Sequence, residues 1–134
     1  MQRKGAEMIS CTLKEKYIRF ISSKQKTKEA RMGNPMFQRW NVGDEVKFFS
    51  KRNPTMYVVV KITKKTHYEN VHEMLEVEGI TNIVPNVRSI EAGVKLYYNL
   101  PNYIELEKKY GVLVFEFVLI KPHDPKCDWN NKNS

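Results

Sequence analysis

The apolar positions of the chain change period several times, and each change predicts an element. Residues 8–13, Met-Ile-Ser-Cys-Thr-Leu, read as a short strand, after which Leu13, Tyr17, Phe20 and Ile21 recur at i, i+4, i+7 and i+8. That spacing predicts a helix near 14–23 with its stripe in the core. The charged stretch Lys26–Arg31 reads as a strand or extended segment leaving this helix, and Gly33-Asn34-Pro35 breaks it into a loop. Val42-Gly43-Asp44 is a turn signal ahead of a strand carrying Val46, Phe48 and Phe49. The β-branched run Met56–Thr63 follows through the turn Arg52-Asn53-Pro54-Thr55, so the two strands form a hairpin.

Helical spacing then returns three times. Asn70 is a fitting N-cap, with Glu73 at the capping-box position, and Val71, Met74 and Leu75 give a face that ends at Gly79. Ser89 caps a second helix bearing Ile90, Val94 and Tyr97. Asn102 with Glu105 caps a third, whose stripe is Tyr103, Leu106 and Tyr110 before Gly111. The near-continuous apolar run Val112–Ile120 reads as a central strand. Strands at both ends and in the middle, interrupted by short helices, describe an α+β domain with a small mixed sheet or barrel. The expected organisation is a basic extension over residues 1–7, one domain over 8–121 and a flexible polar tail over 122–134.

Composition narrows the function classes. The apolar run with Glu116 inside it is far shorter than the ~20 residues of a membrane span, and no apolar segment follows the N-terminal Met1-Gln2-Arg3-Lys4-Gly5. The expectation is an intracellular protein, cytoplasmic or nuclear, with no membrane partner. Cys11 and Cys127 stand alone and far apart, and His72-Glu73 lacks a second histidine four residues on, so no disulfide framework, metal site or cofactor is expected. The formal net charge is +8, and its distribution matters more than its size. Residues 1–65 hold 16 Lys/Arg against 5 Asp/Glu, whereas residues 66–134 hold 7 against 10. A one-sided positive field attracts polyanions through phosphate neutralisation, so RNA or a nucleotide is the natural partner; the alternative is a merely solvated lysine-rich surface.

Lys24-Gln25-Lys26-Thr27-Lys28-Glu29-Ala30-Arg31, followed by Val42-Gly43-Asp44-Glu45-Val46-Lys47-Phe48, resembles the signature of the ASCH domain family. Leu75-Glu76-Val77-Glu78-Gly79 and Glu107-Lys108-Lys109-Tyr110-Gly111-Val112 match its later motifs in the same order, over roughly residues 8–121. The resemblance implies a PUA-like small mixed β-barrel with flanking short helices, and a cleft lined by the K-T-x-E-x-R segment. It also implies RNA binding, or in one bacterial branch an amidohydrolase acting on N(4)-acetylcytidine. A third possible role for such a domain is a protein-interaction adaptor. The hydrolase carries a lysine, a hydroxyl residue three positions on and a glutamate, which fall here on Lys26, Glu29 and Glu78. Glu29 supplies no hydroxyl, and Thr27 is adjacent rather than equivalent. Lys24 stands where the family shows glycine, and Lys28 where it shows an apolar residue.

The residues carry a reading of their own. Glu78 lies on the inward stripe of the 70–78 helix, in the last turn, where burial and the helix dipole both push its pKa upward. Either it meets a cation, for which Lys26 is the candidate, or it turns into water as the helix frays. A shared Lys26–Glu78 pocket, with Glu29 or Arg31 on its wall, would suit a small hydrolase acting on RNA or on a modified nucleoside. Glu29 and Arg31 sit at i, i+2 on one strand face with Thr27 beside them, and form a salt-bridged wall or read a base edge. Arg39 adds charge in the loop, and the aromatics Phe37, Trp40 and Tyr57 either stack on a base or belong to the core.

Overall fold

The computed structural model describes residues 8–127. The basic extension expected over residues 1–7 and the end of the tail, 128–134, lie outside them. The apolar run becomes β5 (Val112–Lys121), and its residues 112–115 are buried because both faces of the strand are covered. Along one edge it pairs antiparallel with β2 (Lys28–Met32), and along the other with β4 (Tyr57–Tyr68). β4 runs well past the expected Thr63 and carries two register irregularities, at Val59/Val60 and Ile62/Lys64. Such bulges bend and over-twist a strand, which curls the sheet into a half-barrel. The expected hairpin joins β3 (Glu45–Phe49) to β4, with Val46 opposite Val60, and β1 (Met8–Thr12) adds in parallel beside β3. The strand order is β1-β3-β4-β5-β2, so the first two strands of the chain form the two edges of the sheet.

Strand alternation sends β5 side chains into two cores. Leu113, Phe115 and Phe117 point into the curl, where they meet Val46, Phe48, Val58, Val60 and Ile62 beneath Ile18 and Ile21 of α1 (Glu15–Ser22). Val112 and Val114 point the other way, with Ala30 and Met32 of β2, onto α3 (Val71–Glu78) and α5 (Ile90–Tyr98). Two short helices were not visible in the sequence. α2 (Pro35–Gln38) begins at the proline read as a loop breaker, which serves as the first helical residue, and α4 (Ile80–Ile83) follows Gly79 directly.

Two caps form as expected: Asn70 accepts from the Glu73 amide at 2.8 Å and Ser89 from the Ala92 amide at 3.1 Å. Asn102 departs from expectation. It starts α6 (Tyr103–Tyr110) from a left-handed conformation, φ 64°, and its side chain caps nothing. Gly111, at φ 72°, ends that helix where a Cβ would lie 2.4 Å from His67 Nε2 and 2.5 Å from the Tyr68 carbonyl oxygen. Residues 122–127, assigned to the flexible tail, instead fold back. His123 is buried, its amide donates to Ser22 Oγ at 2.9 Å, and Pro125–Cys127 make a 3-10 turn. No helix among the described residues is long and apolar enough to cross a membrane.

Candidate functional site

Because the curl stops short of closure, the edges β1 and β2 are left without a ladder between them. A side chain ties the two edges across this seam: Arg31 on β2 sends Nη2 to the Thr12 carbonyl on β1 at 3.4 Å. A cleft of about 620 Å³ opens there, within the size range of small-molecule sites. Its floor is a charged triad. Lys26 Nζ meets Glu29 Oε1 at 2.8 Å, and Arg31 Nε and Nη2 both meet Glu29 Oε2 at 2.8 Å.

The geometry of the triad follows from the strand. Glu29 and Arg31 share the face that points into the curl, opposite Phe115 and Leu113 of β5. Lys26 precedes the strand and reaches back, donating to the carbonyls of Lys28 at 2.7 Å and Ile83 at 2.6 Å as well as to Glu29. An ammonium has three hydrogens, and all three are engaged. Burial opposes the charge on Glu29, but Lys26 and Arg31 outweigh it and hold the carboxyl below its ordinary value. Burial likewise pulls the Lys26 ammonium down, with Glu29 opposing. Burial acts against the Arg31 charge too, yet Glu29 carries its pKa further up.

Around this floor, Tyr17 of α1 and Leu96, Tyr97, Leu100 and Tyr103 of the α5–α6 corner form an apolar wall. Burial raises the phenols of Tyr17, Tyr97 and Tyr103, so they stand as neutral hydroxyls. Lys14, Lys51 and Arg52 form an exposed cationic rim. Arg52 is paired with Glu15 at 2.9 Å, and Ser50 donates to the same carboxylate at 2.7 Å.

The residues singled out in the sequence are divided among several places. Lys26, Glu29 and Arg31 come together in the cleft. Glu78 does not join them. Its side chain is inward, 8% exposed, but it faces Lys28, whose Nζ meets Oε1 at 2.8 Å, and Tyr68, whose hydroxyl donates to Oε2. The expected Lys26–Glu78 pocket is thereby corrected: Lys28 alternates with Glu29 and projects from the opposite face of β2. The expected rise in the Glu78 pKa is corrected as well. Burial pushes it up, but the bonds from Lys28 and Tyr68 outweigh burial and the carboxyl lies below its ordinary value.

Trp40 is 4% exposed and packs among Phe37, Phe48 and Phe115, with ring centroids 5.0–6.2 Å apart, so it belongs to the core rather than to a ligand surface. Thr27 lines a separate cavity of about 250 Å³ with Lys24 and Phe117. Tyr57 lies at the far end of the β3–β4 turn, its ring within 4.5 Å of Lys47 Nζ and 4.9 Å of Lys121 Nζ. Arg39 is exposed after α2. Neither Tyr57 nor Arg39 lines the cleft. Sequence reasoning missed the rim and the tyrosine wall. Arg52 was read only as part of a turn, and Tyr97 and Tyr103 only as helical stripes, since nothing in the spacing says that these segments converge on one seam.

No family model matches the chain, and no curated protein matches it. Solved structures do. The hypothetical protein PH0355 is 35% identical and superposes with a TM-score of 0.74, the match covering 85% of this chain and 99% of that one. Protein PF0455 from Pyrococcus furiosus is 29% identical with a TM-score of 0.64, covering 86% and 96%. ASCH from Zymomonas mobilis, at 13% identity, shares the fold with a TM-score of 0.55 over 90% of this chain and 75% of its own. The chain therefore belongs to one family with PH0355, and its fold, the curled five-stranded half-barrel with flanking short helices described above, is the one seen in ASCH from Zymomonas mobilis.

Proposed function

We propose that this chain binds RNA, or a nucleotide derived from it, in the seam cleft. The observation that carries the reading is the layering of that cleft: a charge-satisfied floor, an apolar wall bearing tyrosines, and an exposed rim of Lys14, Lys51 and Arg52. Aromatic surface beside cations suits a base and its phosphates together. The ASCH fold is PUA-like, which supports the same partner. Binding is favoured over hydrolysis because Lys26 has every hydrogen engaged and Glu78 lies outside the cleft, so the lysine–glutamate pair of the amidohydrolase branch is not assembled.

The test is retention of labelled single-stranded RNA by the full chain across a salt series. With Lys14 and Lys51 neutralising phosphate and Arg52 held by Glu15, the logarithmic salt slope should be about −1.4, so affinity falls roughly sevenfold between ~50 and ~200 mM salt. Lys51→Ala should flatten that slope. No retention at ~50 mM salt would sink the binding reading, and deacetylation of acetylated cytidine by the same preparation would replace it with the hydrolase one.

A further inference from the structure

Exposure rises along the triad, from 2% at the Lys26 side chain through 7% at Glu29 to 19% at Arg31, so Arg31 is the member that meets whatever enters the cleft. Its guanidinium is held from three sides. Nε donates to Glu29 Oε2, Nη2 pairs with the same oxygen and donates to the Thr12 carbonyl, and the group lies 5.3 Å over the Phe37 ring. These contacts engage Nε and Nη2 of a guanidinium that carries five N–H donors. The two on Nη1 have no partner among the described residues, and the side chain lines the cleft. Glu29 turns both oxygens to its cations, and Lys26 has no hydrogen left over. The floor therefore offers an incoming group donors and no accessible acceptor.

We infer that the cleft selects a base that leads with hydrogen-bond acceptors, a 6-oxopurine such as guanine or hypoxanthine, and that Arg31 is the residue that selects it. The inference rests on the nucleotide reading of the cleft. Guanine presents O6 and N7 side by side on one edge, both acceptors, whereas adenine puts an amino donor at the O6 position. Against a fixed guanidinium that amino group leaves donors facing donors, and a site built for one hydrogen-bond pattern rejects its isostere strongly. Cytosine also has an acceptor-only edge, O2 with N3. There O2 adjoins the glycosidic bond, so that edge could reach the floor only by carrying the ribose down with it. The tyrosine hydroxyls rotate to either role and discriminate little.

The experiment measures binding of the full chain to short oligouridylates that differ only at one central position, G, I, A or C, at low salt. The phosphate contribution is then common to all four. The G and I strands should bind about tenfold tighter than the A and C strands. Arg31→Lys keeps the charge but loses the planar fork, and should erase the preference while the salt slope persists. Arg52→Ala should weaken all four strands alike and leave their ranking unchanged. Equal binding of all four by the unsubstituted chain would overturn the inference while leaving RNA binding intact. Failure to bind any of them would overturn both. If Arg31→Lys does not fold, as judged by its melting curve, the four-strand ranking with and without Arg52→Ala decides alone.

Discussion

Lys24 carries a cost that the sequence already hinted at. The ASCH signature that this segment resembles has glycine at this position, and here the residue adopts φ 66° where α1 ends, a conformation that an L side chain occupies at roughly 1–2 kcal/mol. Lys24→Gly should accordingly raise the unfolding free energy by up to about 1 kcal/mol, less the entropy that glycine adds to the unfolded chain; a lower melting temperature would show that the turn is unstrained. Glu29 is the opposite case, a residue whose charge the site requires. Its carboxyl pKa is below the unfolded value, so its contribution is present above that value and lost as pH falls through the folded one. Glu29→Gln leaves Lys26 and Arg31 buried without their counter-charge and should cost about 3–5 kcal/mol at neutral pH. Denaturant titrations at neutral and acid pH check both points, since the substituted protein should lose less stability on acidification than the parent.

At the scale of elements, β2 is tied to the helices on one face and to the seam on the other, and a charged pair adds to the apolar packing of Ala30 and Met32 in the first tie. Lys28 stands where the ASCH signature that this segment resembles has an apolar side chain, and Glu78 at the end of α3 answers it through its carboxylate and, at 3.2 Å, its backbone carbonyl. The pair is compensatory, so Lys28→Met and Glu78→Gln should each destabilise by about 1–3 kcal/mol, and the double variant by less than their sum. A coupling energy below about 0.5 kcal/mol in that cycle would mean the two residues act independently. The periodicities made the strands and the larger helices legible, because Val46, Val60 or Met74 can be buried in only one register. They also put Glu78 on the inward stripe of its helix, while leaving open whether it turned into water at the frayed end. What they could not show was which lysine meets it, since Lys26 and Lys28 are two residues apart and only the bend before β2 sends them to different sides. Asn102 likewise has the right identity for a cap and the wrong backbone for one.

For the whole molecule, the charge asymmetry read from the sequence is consistent with where the rim lies: Lys14, Lys51 and Arg52 all come from the basic first half, although the wall they face comes from α5 and α6 in the second. The K-T-x-E-x-R segment gave the floor because a motif is a local object. The wall was hidden because it depends on how distant helices close over a sheet edge. The seam itself has a consequence for how the molecule comes together. β1 and β2 are near neighbours in the chain yet sit at opposite ends of the strand order, so although each has its own partner in β3 or β5, the two edges face each other only once β3, β4 and β5 have joined to span the distance between them. The bridge from Arg31 to Thr12 is then among the last contacts the chain can make, since long-range closure follows the pairings that bring its ends together. A half-made molecule has no cleft and no affinity for its occupant. Whatever binds in the seam selects finished copies alone, and by mass action draws the remainder toward completion.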